Sequence, residues 1–455
     1  MGTTRRRTLA RPLAGAAALV AFAVLARAQT ADTLAIAHVT VVDVAGGTLL
    51  PDRTVIVSGE RIARVASAAG DVPEGVRLVD GRGKYLIPGL WDMHVHLSLA
   101  RSSALPALVA NGVTYVRDAG SLLSEIDEWR GQIAAGRLTG PVIVRAGPIL
   151  NGQASNRYHL IVANASDARA AVRTLERVGV DFVKVHRRTP RDAYFAAAEE
   201  SRRLSLPLAG HVPVTVTPEE ASNAGQRTIE HVETLFEGTF TAGLAGAPLV
   251  EAIAAWRRSD AAAGLFATFV RNGTVVNPTL IAGRWIIEWL ENPSNPRDRY
   301  VAASALRERV ESLAPLRRDA AALIVQRRAI RRELEAVVGQ MHRAGVTLVT
   351  GTDLAHILHP GFNVHDELQA LVEAGLTPAD ALRAATMNPA RLFPSLEAGD
   401  VAPGRRADLL LLDGNPLEDI RNTARLRGVI LGGRVFDRAA LDALLEEAAA
   451  RAAVN

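Results

Sequence analysis

The sequence predicts an α/β fold: a (β/α)8 TIM barrel with a small composite β-sandwich domain built from the N- and C-terminal segments. Eight apolar runs of strand length recur between residues 89 and 353, and segments with helical periodicity separate them. Short β-branched runs broken by Gly or Asp flank this region over 34–85 and 407–437. A doubly wound open sheet fits less well, because the count of strand–helix units closes at eight.

The N-terminus has the pattern of an export signal. A basic stretch over 1–11 precedes an apolar run over 12–25, and Ala26-Arg27-Ala28 forms a small-x-small cleavage site. The apolar run is short of the roughly 20 residues that span a bilayer. We therefore expect a secreted or periplasmic protein with no stable membrane anchor after cleavage. An uncleaved anchor is the alternative, and the twin arginines near Arg6 leave Sec and Tat export both open.

The remaining boundaries follow from the change of rhythm along the chain. After a signal peptide over 1–28, we expect the first part of the β-domain over 29–86 and the barrel over 87–395. The barrel carries an Arg-rich helical insert at 282–345, which would cap the site or form a contact in a homo-oligomer. The second part of the β-domain and a C-terminal helix complete the chain over 396–455.

Composition excludes several function classes. The 455 residues contain no Cys, which excludes disulfides, zinc fingers, iron–sulfur clusters and cysteine nucleophiles. Without residues 1–28 the chain has 47 basic and 48 acidic residues, so the charge of a nucleic-acid-binding protein is missing and we expect a small-molecule partner. Only Lys84 and Lys184 are lysines among 52 basic residues, so a lysine inside an apolar strand demands a chemical reason.

Polar residues occur at the ends of the predicted strands, where barrel enzymes keep their catalytic groups. His94 and His96 lie two apart in the first strand and therefore share a face. Four later strands each contribute one residue: Lys184, His211, His231 and Asp353. A single strand-end His is more often structural than a ligand. Together, these imidazoles and the carboxylate form a donor set that suits a divalent metal.

The chain resembles the amidohydrolase superfamily of metal-dependent hydrolases, and within it the imidazolonepropionase-like and Xaa-Pro dipeptidase-like branch. The motifs IPGLWDMHVHL (87–97), VKV (183–185), AGHVP (209–213), TIEHVE (228–233) and TGTD (350–353) carry this resemblance. It implies that His94, His96 and Asp353 bind one Zn²⁺ and that His211 and His231 bind a second. It also implies that Lys184 is N-carboxylated (carbamylated) by CO2 and bridges the two ions.

The chemistry of Lys184 agrees with that implication. Carboxylation needs a neutral amine, and burial lowers the pKa of a lysine toward neutrality. The implied activity is hydrolysis of a C–N bond, in a dipeptide or an N-acyl amino acid, with Asp353 as general base and then acid. A lactonase or ester hydrolase is an alternative, as is a mononuclear imidazolonepropionase- or deaminase-like enzyme. A non-enzymatic scaffold fits least, because it needs neither Lys184 nor Asp353.

Other polar residues beside these positions are candidates for substrate contacts. Their alternatives are structural: a solvated loop at Arg187 and Arg188, and helix-start packing at His356 and His359. A Trp pair in the insert, Trp285 and Trp289, either covers the pocket or belongs to the core. The candidate substrate-binding residues are Tyr158, His159, His186, Arg187 and His356.

Overall fold

The computed structural model describes residues 33–67, 72, 75–154, 156–238, 244–355 and 358–454. The expected signal peptide over 1–28 and the substrate candidate His356 lie outside these ranges. No helix within them combines the length and the apolar character needed to span a bilayer.

One mixed sheet joins the two ends of the described chain. Its strands are β1 (Thr33–Asp43), β2 (Thr48–Ser58), β3 (Arg61–Ser67), β4 (Arg77–Asp80), β5 (Tyr85–Pro88), β15 (Leu409–Leu412), β16 (Leu426–Leu431) and β17 (Arg434–Asp437). They are ordered β17-β16-β15-β5-β1-β2-β3, with β4 paired to β1. The antiparallel pair of β5 with β15 unites the N- and C-terminal segments, as the composite β-domain predicts. Buried Val, Ile and Leu side chains from both segments share one core on this sheet.

Parallel strands make up the rest of the β structure. One sheet contains β6 (Leu90–Val95), β7 (Val113–Asp118) and β8 (Val142–Arg145). The other is ordered β10-β9-β11-β12-β13-β14 and consists of β9 (Ile149–Asn151), β10 (His159–Ile161), β11 (Val183–Val185), β12 (Leu208–Gly210), β13 (Gln226–Glu230) and β14 (Val275–Asn277). Seven of the eight predicted strand positions are therefore strands of parallel sheets.

The eighth predicted strand, over 346–353, is not a regular strand. It forms only isolated parallel bridges, from Leu348 to Val276 of β14 and from Leu354 to Val95 of β6. At its end the backbone leaves the extended conformation, since Asp353 has a positive φ of 65°. The segment nonetheless lies between the last strand of one parallel sheet and the first strand of the other.

Helices follow the parallel strands along the chain. The α-helices are α1 (Leu97–Ala100), α2 (Ala104–Ala110), α3 (Leu123–Ala134), α4 (Ala165–Arg177), α5 (Arg191–Arg203), α6 (Pro218–Asn223), α7 (Gly246–Trp256), α8 (Asp260–Asn272), α9 (Leu280–Glu291), α10 (Ala303–Leu313), α11 (Ala320–Arg343), α12 (Phe362–Glu373), α13 (Pro378–Ala385), α14 (Met387–Leu392) and α15 (Arg438–Val454). Short 3-10 helices are Val232–Leu235, Pro296–Tyr300, Ala314–Asp319, Pro394–Leu396 and Ile420–Ala424. The observed architecture is α/β, and α9 to α11 occupy the predicted helical insert.

Local sequence explains where several helices begin. The side chains of Thr217 and Thr377 each accept a hydrogen bond from the backbone N–H three residues on. In turn, the carboxylates of Glu220 and Asp380 accept one from the backbone N–H of the Thr. Pro follows each Thr at the first helical position, where its missing N–H is harmless. These helices pack behind the parallel strands, so their caps help to hold the strand ends that carry the site.

One apolar cluster collects side chains from both parallel sheets. Its strand residues come from β6, β7, β8, β12 and β14 and from the segments just before β11 and over 346–353: Trp91, Met93, Tyr115, Val144, Phe182, Ala209, Val275 and Val349. Trp91 stacks on Tyr115 with ring centroids 4.4 Å apart. The two sheets thus share one apolar interior, and the polar site packs directly against it.

Candidate functional site

The polar site lies one step further along the strands from the apolar interior. Residues two apart on a strand share a face, so the next side chains after the apolar ones point the same way. The sequence changes from apolar to polar at this step on four strands: Tyr115 to Arg117, Phe182 to Lys184, Ala209 to His211 and Val275 to Asn277. The charged and imidazole side chains therefore lie next to the packed apolar layer, on the side of the strands' C-terminal ends.

His94, His96 and Asp353 form the tightest group. Each offers one ligand atom, and these three atoms lie within 4.8 Å of one another. The Oδ1 atom of Asp353 is 3.5 Å from Nε2 of His94 and 3.4 Å from Nε2 of His96. The sequence predicted this trio from two separate strand ends, and the structure brings it together.

Hydrogen bonds at the opposite ring nitrogens orient these imidazoles. The Nδ1 atom of His94 donates to Oε2 of Glu230 at 3.0 Å, and that of His96 donates to the carbonyl of Gly120 at 3.0 Å. Neither acceptor has a proton to donate. The carbonyl of Gly120 carries none. Burial raises the pKa of Glu230, but Arg117 and His94 outweigh the effect of burial, so this pKa lies well below its usual range. Each ring therefore leaves its Nε2 lone pair toward Asp353, as metal-binding histidines do.

Lys184 completes this corner of the site. It is 1% exposed, and its Nζ atom lies 3.1 Å from Nε2 of His94. Burial lowers its pKa to about 8, and Glu230 opposes that shift. About a tenth of the amine is therefore neutral at pH 7, far more than for an ordinary lysine. The other lysine, Lys84, pairs with Asp413 at 2.8 Å in the terminal sheet.

His211 and His231 continue the row of imidazoles. Their ring centroids are 4.7 Å apart, and the ring of His231 is 4.6 Å from that of His94. Gly210 positions His211: its φ is +136°, and a Cβ there would lie 2.1 Å from the carbonyl oxygen of Val185 on the next strand. Only glycine allows this close approach of β11 and β12.

The donor set fits a divalent metal. Burial lowers the pKa of His94, His211 and His231, so all three rings are neutral and able to act as ligands. The buried Nδ1 atoms of His211 and His186 have no hydrogen-bond partner among the described residues. Buried polar atoms without partners destabilise the folded state, and a bound metal ion would supply the missing partner.

Asp353 combines a low pKa with a strained backbone. Burial raises its pKa, but the neighbouring His231, His96 and His94 outweigh burial and lower the pKa below its usual range. Its φ of 65° lies in the left-handed region, which few non-glycine residues adopt, and His231 has a φ of 64°. Strained backbone at two candidate ligands is typical of functional sites.

The sequence did not single out the buried charge network around Glu230. Besides His94, its carboxylate accepts hydrogen bonds from Arg117 at 2.5 Å, Thr228 at 2.5 Å and Asn277 at 2.9 Å. All these residues are at most 2% exposed. A charged residue in the middle of an apolar strand, as in VTYVRD, was the available signal.

Three substrate candidates line the cavity over this group. Tyr158, His159 and His186 border a space of about 190 Å³ together with Asp353 and the imidazoles. Arg187 does not line it: its Nε is 3.4 Å from Oε2 of Glu237. Their roles toward a substrate stay predictions.

The remaining rim candidates pair elsewhere. Arg188 donates to Gln153 at 2.8 Å, and His359 contacts Asp298 at 2.9 Å. Trp285 and Trp289 are buried in the main apolar core, with ring centroids 6.5 Å apart. The core interpretation of this Trp pair therefore agrees with the structure.

Comparison with known proteins places the chain. The model of the Amidohydrolase family matches residues 85–436, which include every described residue of the site. This chain belongs to the amidohydrolase family. Among solved amidohydrolase-like structures, bottromycin amidohydrolase aligns at 25% identity and a TM-score of 0.74, covering 94% of this chain and 93% of that one. A candidate prolidase from Bifidobacterium longum aligns at 26% identity and a TM-score of 0.67, covering 91% and 98%.

Curated relatives match only part of this amidohydrolase. Ochratoxinase of Aspergillus niger is 40% identical over 100 residues, which is 21% of this chain and 20% of that protein. The chain thus spans about a fifth of the length of that relative. The family match confirms the expected superfamily, and the solved neighbours include the candidate prolidase.

Proposed function

We propose that this protein is an exported, metal-dependent amidohydrolase that hydrolyses the C–N bond of a dipeptide or an N-acyl amino acid. The observation that carries the proposal is the convergence of His94, His96 and Asp353 within 4.8 Å. Lys184 beside them, at 3.1 Å from His94, adds the group that a second metal requires. Amide-hydrolysing neighbours such as bottromycin amidohydrolase support the reaction class.

The proposed ligand sets follow the geometry. His94, His96 and Asp353 would hold one Zn²⁺, and His211 and His231 the other, with N-carboxylated Lys184 between them. The bound ions would supply Lewis-acid polarisation of the substrate carbonyl and lower the pKa of water. Glu230 holds the His94 ring in the ligating orientation throughout.

Asp353 is the proposed proton carrier. Its side chain is 27% exposed toward the cavity, so it can reach a water molecule and a leaving group. It accepts a proton as the water oxygen bonds to the carbonyl carbon, and donates that proton to nitrogen as the C–N bond breaks. The products are a carboxylate and an amine.

We also propose that the two parallel sheets are arcs of one closed eight-stranded barrel. Three backbone contacts support closure: Val349 N–H donates to Val276 at 3.0 Å, Met93 N–H to Thr350 at 2.9 Å, and Asp181 N–H to Arg145 at 2.9 Å. The interior cluster shared by both sheets supports it too. In such a barrel the site would occupy the C-terminal end of the strands.

The test is a substrate panel of Xaa-Pro dipeptides, N-acyl amino acids and lactones. We expect the purified chain to release amine from at least one amide class, to lose activity with a chelator and to regain it with zinc. Turnover of lactones alone would replace the proposal with an ester hydrolase. Amide hydrolysis that is indifferent to chelation would overturn the role of metal.

A further inference from the structure

A second cavity lies beside the metal-binding group and has no role in the proposed reaction. It measures about 330 Å³ and is bordered by the 3-10 turn Val232–Leu235 and by helices α7, α9 and α11. Its walls are mostly apolar: Leu249, Ile253, Leu280, Leu323, Ile330 and Leu334. Its volume is enough for a small organic molecule.

A carboxyl group and a guanidinium, which carry opposite charges when ionised, line this cavity; burial raises the pKa of the carboxyl, Glu233, to about 7. Glu233 and Arg327 both border it, and among the described residues no ion pair within 4.0 Å joins them. The Nε atom of Arg327 is buried and has no hydrogen-bond partner among the described residues. The other charged groups there are paired: Arg331 with Glu335 at 2.5 Å and Glu237 with Arg187 at 3.4 Å.

The cavity is a direct neighbour of the metal-binding group. Glu233 follows His231 by two residues, and Leu280 follows Thr279, whose Oγ1 lies 2.8 Å from Nδ1 of His231. The chain segment that contains His231 and Glu233 therefore borders both spaces.

We propose that this cavity is a binding site for a zwitterionic amino acid with an apolar side chain. Its ammonium would pair with Glu233, its carboxylate with Arg327, and its side chain with the apolar walls. A neutral apolar ligand would bury both charges without partners, and a purely cationic or anionic ligand would leave one of them unpaired. An amidohydrolase that cleaves dipeptides releases such an amino acid; that link rests on the proposed function, whereas the binding itself does not.

Calorimetric titration of the full metal-loaded chain with three matched probes tests the site. L-leucine carries both charges, 3-methylbutylamine lacks the carboxylate, and 4-methylpentanoate lacks the ammonium. We expect leucine to bind at least about 10-fold more tightly than either analogue. Glu233→Gln and Arg327→Gln should each weaken leucine by a similar factor. Glu251→Gln, an exposed residue on α7, should leave leucine binding unchanged.

A cavity-filling variant separates this site from the metal-binding group. A Cβ on Gly283 would meet only Oε1 of Glu233, at 3.8 Å, so Gly283→Val adds its methyl groups to the cavity. The matched control is Gly264→Val on α8, where a Cβ meets nothing within 4 Å. We expect Gly283→Val to abolish leucine binding and the control to retain it.

Equal binding of the three probes, or no binding of leucine, overturns the proposal. Leucine binding that survives Gly283→Val but disappears with Lys184→Ala also overturns it, because the ligand would then sit at the metal-binding group. Failure of the amide panel would overturn the proposed function alone, since these titrations need no turnover.

Discussion

The Nζ atom of Lys184 lies 3.1 Å from Nε2 of His94, at the point where the candidate metal ligands converge. Because Nδ1 of His94 carries the proton toward Glu230, its Nε2 lone pair is directed at the space that Lys184 shares with Asp353. An amine in this place supports a ligand set only when its positive charge is removed, and N-carboxylation does so by forming a carbamate. The position of Lys184 therefore predicts that its N-carboxylation decides how many metal ions the chain binds.

The first prediction uses the two lysines of the chain as test and control. In protein produced with zinc and bicarbonate, Lys184→Ala should lower metal content from about two ions per chain to about one or fewer. Lys84→Ala should leave it unchanged, since Lys84 pairs with Asp413 in the terminal sheet. Elemental analysis gives the counts. One ion per chain in both wild type and Lys184→Ala would show that the lysine bridges nothing and would favour a mononuclear enzyme.

The second prediction concerns Asp353. Asp353→Asn should lower kcat by about 10²–10⁴-fold, because the amide cannot carry the proton. Asn tolerates the left-handed φ of 65° better than Ala does, so the fold should persist in Asn and weaken in Ala. Steady-state kinetics and thermal unfolding measure the two effects. Full activity of the Asn variant would remove Asp353 from proton transfer.

The third prediction concerns Glu230. Glu230→Gln leaves the Arg117 guanidinium buried without its counter-charge, which should cost about 3 kcal/mol of unfolding free energy. Loss of the carboxylate that orients His94 should also weaken metal binding about 10–100-fold. Urea unfolding and metal-competition titrations measure these quantities.

A double variant distinguishes the two roles of Glu230. Arg117→Met combined with Glu230→Gln removes the uncompensated charge, so stability should largely return while metal affinity stays low. Recovery of both quantities together would show that Glu230 serves the fold alone.

The fourth prediction concerns pH and His365, which lies on α12 away from the candidate ligands. Burial lowers its pKa to about 4, and its ring contacts Thr423 and the carbonyl of Asn111, each at 3.0 Å. As pH falls below about 6.5, the unfolded chain takes up a proton at this ring that the folded chain does not accept until about pH 4. Stability is therefore complete above pH 6.5 and declines below it.

The decline should amount to on the order of 3 kcal/mol between pH 6.5 and 4 for this ring. Urea unfolding at several pH values, compared with His365→Gln, isolates the contribution. The difference between wild type and variant should shrink as pH falls. A constant difference would mean that His365 titrates normally in the folded chain.

The rule that alternate residues of a strand share a face was enough to predict which candidate ligands lie together, because it depends only on local strand geometry. His94 and His96 share a face because of strand geometry alone, Lys184 lies inside an apolar strand, and His211 and His231 directly follow one. Asp353 was placed correctly although its segment is not a regular strand, because its bridges keep it beside His94.

Contacts between distant strands could not be predicted in this way. The pairing of Glu230 with Arg117 joins residues 113 apart, and it depends on which strands are neighbours and in what register. The contact of Arg187 with Glu237 is another pairing that its position beside a strand end did not reveal, and a role of Arg187 toward a substrate stays a prediction. Likewise, the sequence alone does not predict that Glu233 and Arg327 line the same cavity, because that depends on the position of helix α11.

The pairing of β5 with β15 sets the order in which the protein can be completed. Pro88 pairs with Leu409, and β5 leads within two residues into the strand that carries His94. The segment leading into His94 therefore gains this neighbour only after residues up to Leu412 have been synthesised, and contacts of such long sequence separation are slow to form. The proposed metal site would thus be supported fully only in a chain whose two ends have met.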